Sequence, residues 1–235
     1  MFYENMIEFR KQRAVKNKKM CYKFLDTPNV NISDLKKSGY ANITEIDRLL
    51  AENIDFNNLI TPDAKRMAAS NIAIQASRQG AIDEAHVING INYHLPDPYK
   101  FIKPKKTISF KKEGLQKTID AVLLKNNIIL GYAFLKLVVG GGGFQGSSSE
   151  TEGSVGSETI NFLKFASKRN DEKIWFAILD GDPVWKGLAE PYLSENVWAG
   201  NHVEIQEKVV ERYGVELKEI DKTNPVKSPL EEFLN

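Results

Sequence analysis

The sequence predicts an α/β chain: a mixed central sheet flanked by helices, with a helical N-terminal part. Three observations carry this expectation. Apolar residues recur at helical spacing through the first ~95 residues. After the two prolines of "YHLPDPYK" the chain turns to short apolar runs rich in β-branched and aromatic residues. A helix-like stretch, "SETINFLKFASKR", then separates two of those runs, as a β–α–β crossover with a parallel strand pair requires. With 235 residues, 42% of them hydrophobic, the chain can bury a sizeable core. The expected organisation is a mainly helical region over 1–95 and an α/β core over 96–235, together one compact body.

Element by element, residues 1–25 mix aromatic and basic residues and suit an amphipathic helix with a positive face. Ser33 and Thr44 are expected N-caps of two short helices. Thr61 before Pro62 opens another, running to about Ser77. Gly80 is expected to interrupt it, with a further helix from Ala81 to Ile91. "TISF", "TIDAVLL", "IILGYAFLKLVV" and "IWFAILD" are the expected strands. "HVEIQEKVVERYG" is an amphipathic helix ended by Gly214.

Composition excludes several classes. The single cysteine, Cys21, leaves no internal disulfide framework and no Cys-based zinc site. No stretch approaches ~18 uncharged apolar residues, so no membrane helix is expected. With no apolar leader behind a basic start, a cytoplasmic chain with no membrane partner is the expectation. The formal net charge of +1 argues for no partner by itself.

Lys136 stands inside the apolar run "ILGYAFLKLVV". A buried, unpaired ammonium is expensive, so it needs a carboxylate, and Asp120 is the nearest in sequence. A hairpin turning at Asn126 and Asn127 brings Asp120 beside the Phe134–Lys136 region. Alternation puts Phe134 and Lys136 on one face and Ala133, Leu135 and Leu137 on the other. A carboxylate and a lysine on adjacent strands can hold a divalent metal and a water, activating the water and stabilising developing charge on a phosphate. A structural ion pair is the plainer reading of the same two residues.

"TIDAVLLKNNIILGYAFLK" resembles the PD-(D/E)xK nuclease motif, whose best-known members are type II restriction endonucleases. Asp120 matches the Asp, with Ile119 where Pro is common, and Lys136 matches the Lys. The following loop, helix and strand "IWFAILDGDPVW" resemble the same family, so the resemblance covers roughly residues 105–185. It implies a restriction-endonuclease-like fold and Mg²⁺-dependent hydrolysis of double-stranded DNA. Asp120 would bind the metal, and Lys136 would orient or stabilise the attacking water. It also implies a homodimer, by symmetry with a palindromic target, and a cognate DNA methyltransferase in the same system.

The middle acid of the triplet is absent: Phe134 stands there. Three explanations remain open. The acid has been replaced and the protein inactivated. It has moved, with Glu84 on the upstream helix or Glu158 on the following helix as substitutes. Or the motif is accidental and Phe134 is ordinary core.

Other residues offer DNA contacts or alternatives. "ASRQGAIDEAH" gathers Arg78, Gln79, Asp83 and Glu84. Arg and Gln suit bidentate base contacts, although acids in a helix's first turn are also explained by its dipole. Seven lysines fall between Lys100 and Lys117, among them Lys103, Lys105 and Lys106, with one acid; a second basic run spans Arg10 to Lys19. Both suit phosphate contacts or a solvated face. The loop "GGGGFQGSSSETEGS" offers Gln145, Ser147 and Ser148 to phosphates or base edges. Its Gly141–Gly146 segment also fits G-x-G-x-x-G, with Asp180 as a distant ribose acid, which keeps a nucleotide- or dinucleotide-binding enzyme as an alternative. A non-catalytic DNA-binding protein is the third reading. His86, His94 and His202 lack metal-ligand spacing and are expected at the surface or half-buried. Asp180 and Asp182 cap a turn or assist the site.

Overall fold

The computed structural model describes residues 6–26, 32–37, 42–72, 76–138, 155–181 and 186–218. They fall into two compact units, one spanning Ile7–Ile82 and the other beginning at Asp83. No helix among the described residues is long and apolar enough to cross a membrane.

The first unit is helical: α1 (Met6–Asp26), α2 (Ile32–Lys37), α3 (Ile43–Ala51), α4 (Pro62–Asn71) and the start of α5 (Ala76–His94). Cys21 and Leu25 of α1 pack with Ile46 and Leu49 of α3, Phe56, and Ala69 and Ile72 around the end of α4. Thr61 caps α4 as its sequence implies, its hydroxyl accepting from Ala64 N–H. Two expected caps are corrected. Asn42, not Thr44, caps α3 through Glu45 N–H, and Ser33 lies inside α2. An Asn carbonyl one residue before the helix outcompetes a hydroxyl already inside it.

Gly80 does not break the chain: α5 runs through it for 19 residues. A helical glycine costs only about 1 kcal/mol. From Asp83 onward the same helix buries His86, Val87, Ile88, Ile91 and, just past its end, Leu95, which outweighs that. Asp83 and Glu84 therefore lie mid-helix, and the helix dipole does not explain them.

The second unit holds a five-stranded open sheet in the order β1-β2-β3-β4-β5: β1 (Tyr99–Ile102), β2 (Ala121–Lys125), β3 (Ile128–Val138), β4 (Ile174–Gly181) and β5 (Val197–Gly200). β1, β2 and β3 form an antiparallel meander, while β3, β4 and β5 are parallel. Asn126 and Asn127 make the β2–β3 turn with φ of 50° and 66°, a left-handed pair that asparagine tolerates. α6 (Val155–Ser167) is the expected crossover between β3 and β4, and α8 (His202–Tyr213) packs on β4 and β5. "TISF" is not a strand; it contributes only a bridge from Ser109 to Thr118.

The sheet separates two apolar layers. Val122, Phe134, Trp175, Ala177 and Leu179 join Phe162 and Leu163 of α6. Phe176, between Trp175 and Ala177, instead meets Phe101 and Trp198 edge-on. α5 and α8 add buried Ile91, Ile205 and Val209, and Gln206 Nε2 of α8 donates to Ile91 O of α5.

Gly131 of β3 leaves no room for a side chain against β4: a Cβ there would sit 2.3 Å from Ile174 O and 2.6 Å from a Phe176 ring carbon. Gly80 has nothing within 4 Å of that position. Urea unfolding should therefore report opposite signs. Gly131→Ala is expected to lower stability by roughly 1–3 kcal/mol, and Gly80→Ala to raise it by about 0.4–1 kcal/mol.

Candidate functional site

Asp120 immediately precedes β2. Its N–H donates to Ala133 O at 3.0 Å, and its Oδ2 accepts Leu135 N–H at 3.0 Å. The carboxylate thus takes the place of a strand carbonyl against β3, bonded to the residue between Phe134 and Lys136. Its side chain is only 10% exposed, and Lys117 Nζ stands 4.0 Å from Oδ1. Burial raises its pKa to about 6, against the lowering effects of the Leu135 N–H and Lys117; the negative charge of Glu84 pushes the same way as burial.

Glu84, on α5, is bonded to Lys103 Nζ at 2.9 Å. It is close enough to Asp120 for its charge to be felt there, as is Lys103. Asp120 and Glu84 are the two carboxylates that could share a cation. Lys136 takes a different partner from the one its sequence position suggests. Its Nζ lies 3.3 Å from Glu158 Oε2 on α6, both side chains partly exposed. Phe134 and Lys136 do share the α6 face: Phe134 is fully buried and stacks on Phe162 at 5.3 Å between centroids. The position of the expected third acid is therefore filled by aromatic core.

Lys117 links these groups. Its Nζ lies 5.4 Å from the Phe134 ring centroid while approaching Asp120. In the sequence it is one lysine of a basic run; its spacing three residues ahead of Asp120 is the one signal that sets it apart. Lys105 and Lys106 are exposed. Arg78 and Gln79 lie on α5, but their side chains fall outside what is described. Gln145, Ser147, Ser148 and the whole glycine loop lie outside the described residues, as does Asp182.

His94 is half-buried as expected, but the other two histidines are not. His86 and His202 are both 2% exposed. His202 opens α8 behind the capping box of Asn201 and Glu204, and its N–H and Nδ1 both meet Asp180 Oδ1. Asp180 is thereby held inside the fold at the end of β4.

Among the described residues no three His, Cys, Asp or Glu side chains converge to hold a metal. Mg²⁺ typically needs only one or two carboxylates, with waters and phosphate oxygens completing its shell. A desolvated Asp120, with the charge of Glu84 felt at it, fits that smaller donor set. No family model, curated protein or solved structure matches the chain.

The raised Asp120 pKa has a stability consequence whose sign follows from linkage. Between 3.8 and about 6 the folded state holds a proton that the unfolded state has lost. The associated stabilisation is complete below the lower value and gone above the upper one, a loss of roughly 3 kcal/mol. Asp120→Asn should therefore melt higher than the parent at pH 8 without added cation, and the difference should close near pH 4.

Proposed function

We propose that the chain is a metal-dependent endonuclease of the restriction-enzyme type, acting on double-stranded DNA. The single observation that carries this reading is the placement of the Asp120 carboxylate. It is nine-tenths buried on the Leu135 N–H, feels the charge of Glu84, and is bonded to the residue that precedes Lys136 on β3. Isolated buried carboxylates are costly, and they cluster where charge is used. The antiparallel meander followed by a parallel β3–α6–β4 crossover supports a restriction-endonuclease-like core.

On this reading Asp120 and Glu84 hold Mg²⁺, which supplies charge neutralisation on a phosphate and a more acidic water. Lys136 keeps its ion pair with Glu158 and turns its remaining ammonium hydrogens to the scissile phosphate, where it stabilises the charge that develops. Lys103, released from Glu84, and Lys117 are further phosphate contacts. A twofold dimer on a palindromic site, and a methyltransferase protecting host DNA, belong to the same proposal.

Plasmid incubated with Mg²⁺ or Mn²⁺ should give discrete fragments. Asp120→Ala should lower the rate by about two orders of magnitude or more, and Lys136→Ala by a comparable factor. Phe134→Glu restores the missing acid beside Lys117 and should raise the rate. Its folding is to be checked by circular dichroism, because losing a buried Phe costs about 3–5 kcal/mol. The burial of Phe134 against Phe162 favours a second reading, DNA binding without cleavage. Retained DNA binding with no cleavage by the parent or a folded Phe134→Glu would replace the first reading with the second.

A further inference from the structure

A cleft of about 550 Å³ opens between the 113–117 segment and α6. Its walls include Lys117, Lys164 and Lys168, the amides of Gln116 and Asn161, and Phe165. Glu113 and Glu158 also line it. Both acids are already neutralised: Glu158 by Lys136, and Glu113 by Arg169, whose guanidinium also lies over the Phe110, Phe165 and Trp175 rings. Lys164 and Lys168 are exposed and have no carboxylate within ion-pair distance among the described residues. The cleft is therefore positive where it is open and matched where it is acidic.

Its position adds a second constraint. Lys117 lines the cleft and also approaches Asp120; Glu158 lines it and also holds Lys136. An anion in the cleft is thus contiguous with the candidate centre through two shared residues. The volume lies within the range that encloses small ligands, and it carries an apolar wall and paired amides as well as the lysines.

We propose that this cleft is a subsite for one nucleotide of a single polynucleotide strand, with Lys164 and Lys168 taking its phosphate, Asn161 and Gln116 its polar edge and Phe165 its apolar face. This rests on the endonuclease reading and deepens it: the strand leaving the reactive phosphate runs along α6. α6 and the turn at its end thus contribute binding from Glu158 to Lys168 as well as the crossover.

The test uses a 5′-phosphorylated thymidine trinucleotide and the full chain without divalent metal, followed by ¹⁵N chemical-shift perturbation. Saturable shifts are expected at Gln116, Asn161, Lys164 and Lys168. In Lys164→Glu/Lys168→Glu the affinity should fall at least about tenfold. The slope of log affinity against log salt should flatten by roughly 0.7, the single-strand value for one lost phosphate contact. Lys125→Glu/Lys218→Glu, on exposed lysines outside the cleft, should leave both nearly unchanged. Absent shifts, shifts elsewhere, or affinity untouched by the α6 reversal would overturn the proposal. The plasmid assay separates the two claims. Trinucleotide seated in the cleft with no plasmid cleavage would remove the endonuclease reading and keep the subsite. Plasmid cleavage unaffected by the α6 reversal, together with an empty cleft, would do the opposite.

Discussion

The hydrogen bond from Leu135 N–H to the Asp120 carboxylate is the contact on which the candidate site depends. It fixes the end of β2 against β3 through a side chain rather than a backbone carbonyl. It also draws a charge-bearing group into a position from which solvent is largely excluded. One backbone donor, with an ammonium 4.0 Å away, does not fully compensate the lost hydration, and the carboxyl responds by holding its proton to about pH 6. A residue kept solely for stability would be better replaced by its amide, which makes the same bond without the charge. The placement therefore supports a role that needs the negative charge.

The rest of the second unit can be understood as support for that placement. The asparagine pair at 126–127 sets the β2–β3 register, and the glycine at 131 lets β4 close on β3. The stack of Phe134 on Phe162 then seats α6, which brings Glu158 to Lys136 and lines the neighbouring cleft with lysines. Phe134 has consequences in both directions. It strengthens the α6–sheet contact and removes a carboxylate from the place where the resemblance expects one. Stability of the layer and completeness of the donor set are in opposition at this one position.

Much of this was legible in the chain. The strand pair, its asparagine turn, the crossover helix and the parallel return follow from strong local patterns, and the structure has them. β1 and β5 were not legible because each has four residues, too few to show alternation, and both are defined by their neighbours in the sheet. The helix through Gly80 is not legible locally, because the burial that overrides the glycine belongs to residues packed on it by the fold. At the site, the proximity of Asp120 to β3 follows from hairpin register. The pairing of Lys136 with Glu158 does not, because it depends on how α6 lies across the sheet, 22 residues later. Lys117 was hidden for the opposite reason: it sits in a run of lysines, and only the fold distinguishes the one turned toward the carboxylate.

The most direct measurement is the titration of the Asp120 carboxyl, followed by ¹³C NMR on aspartate-labelled protein with and without saturating Mg²⁺. The account predicts a midpoint near 6 in the absence of cation, moving to or below the ordinary 3.8 when Mg²⁺ is present. A midpoint that Mg²⁺ leaves in place would mean that this carboxylate binds no metal, and the assignment built on it would fall.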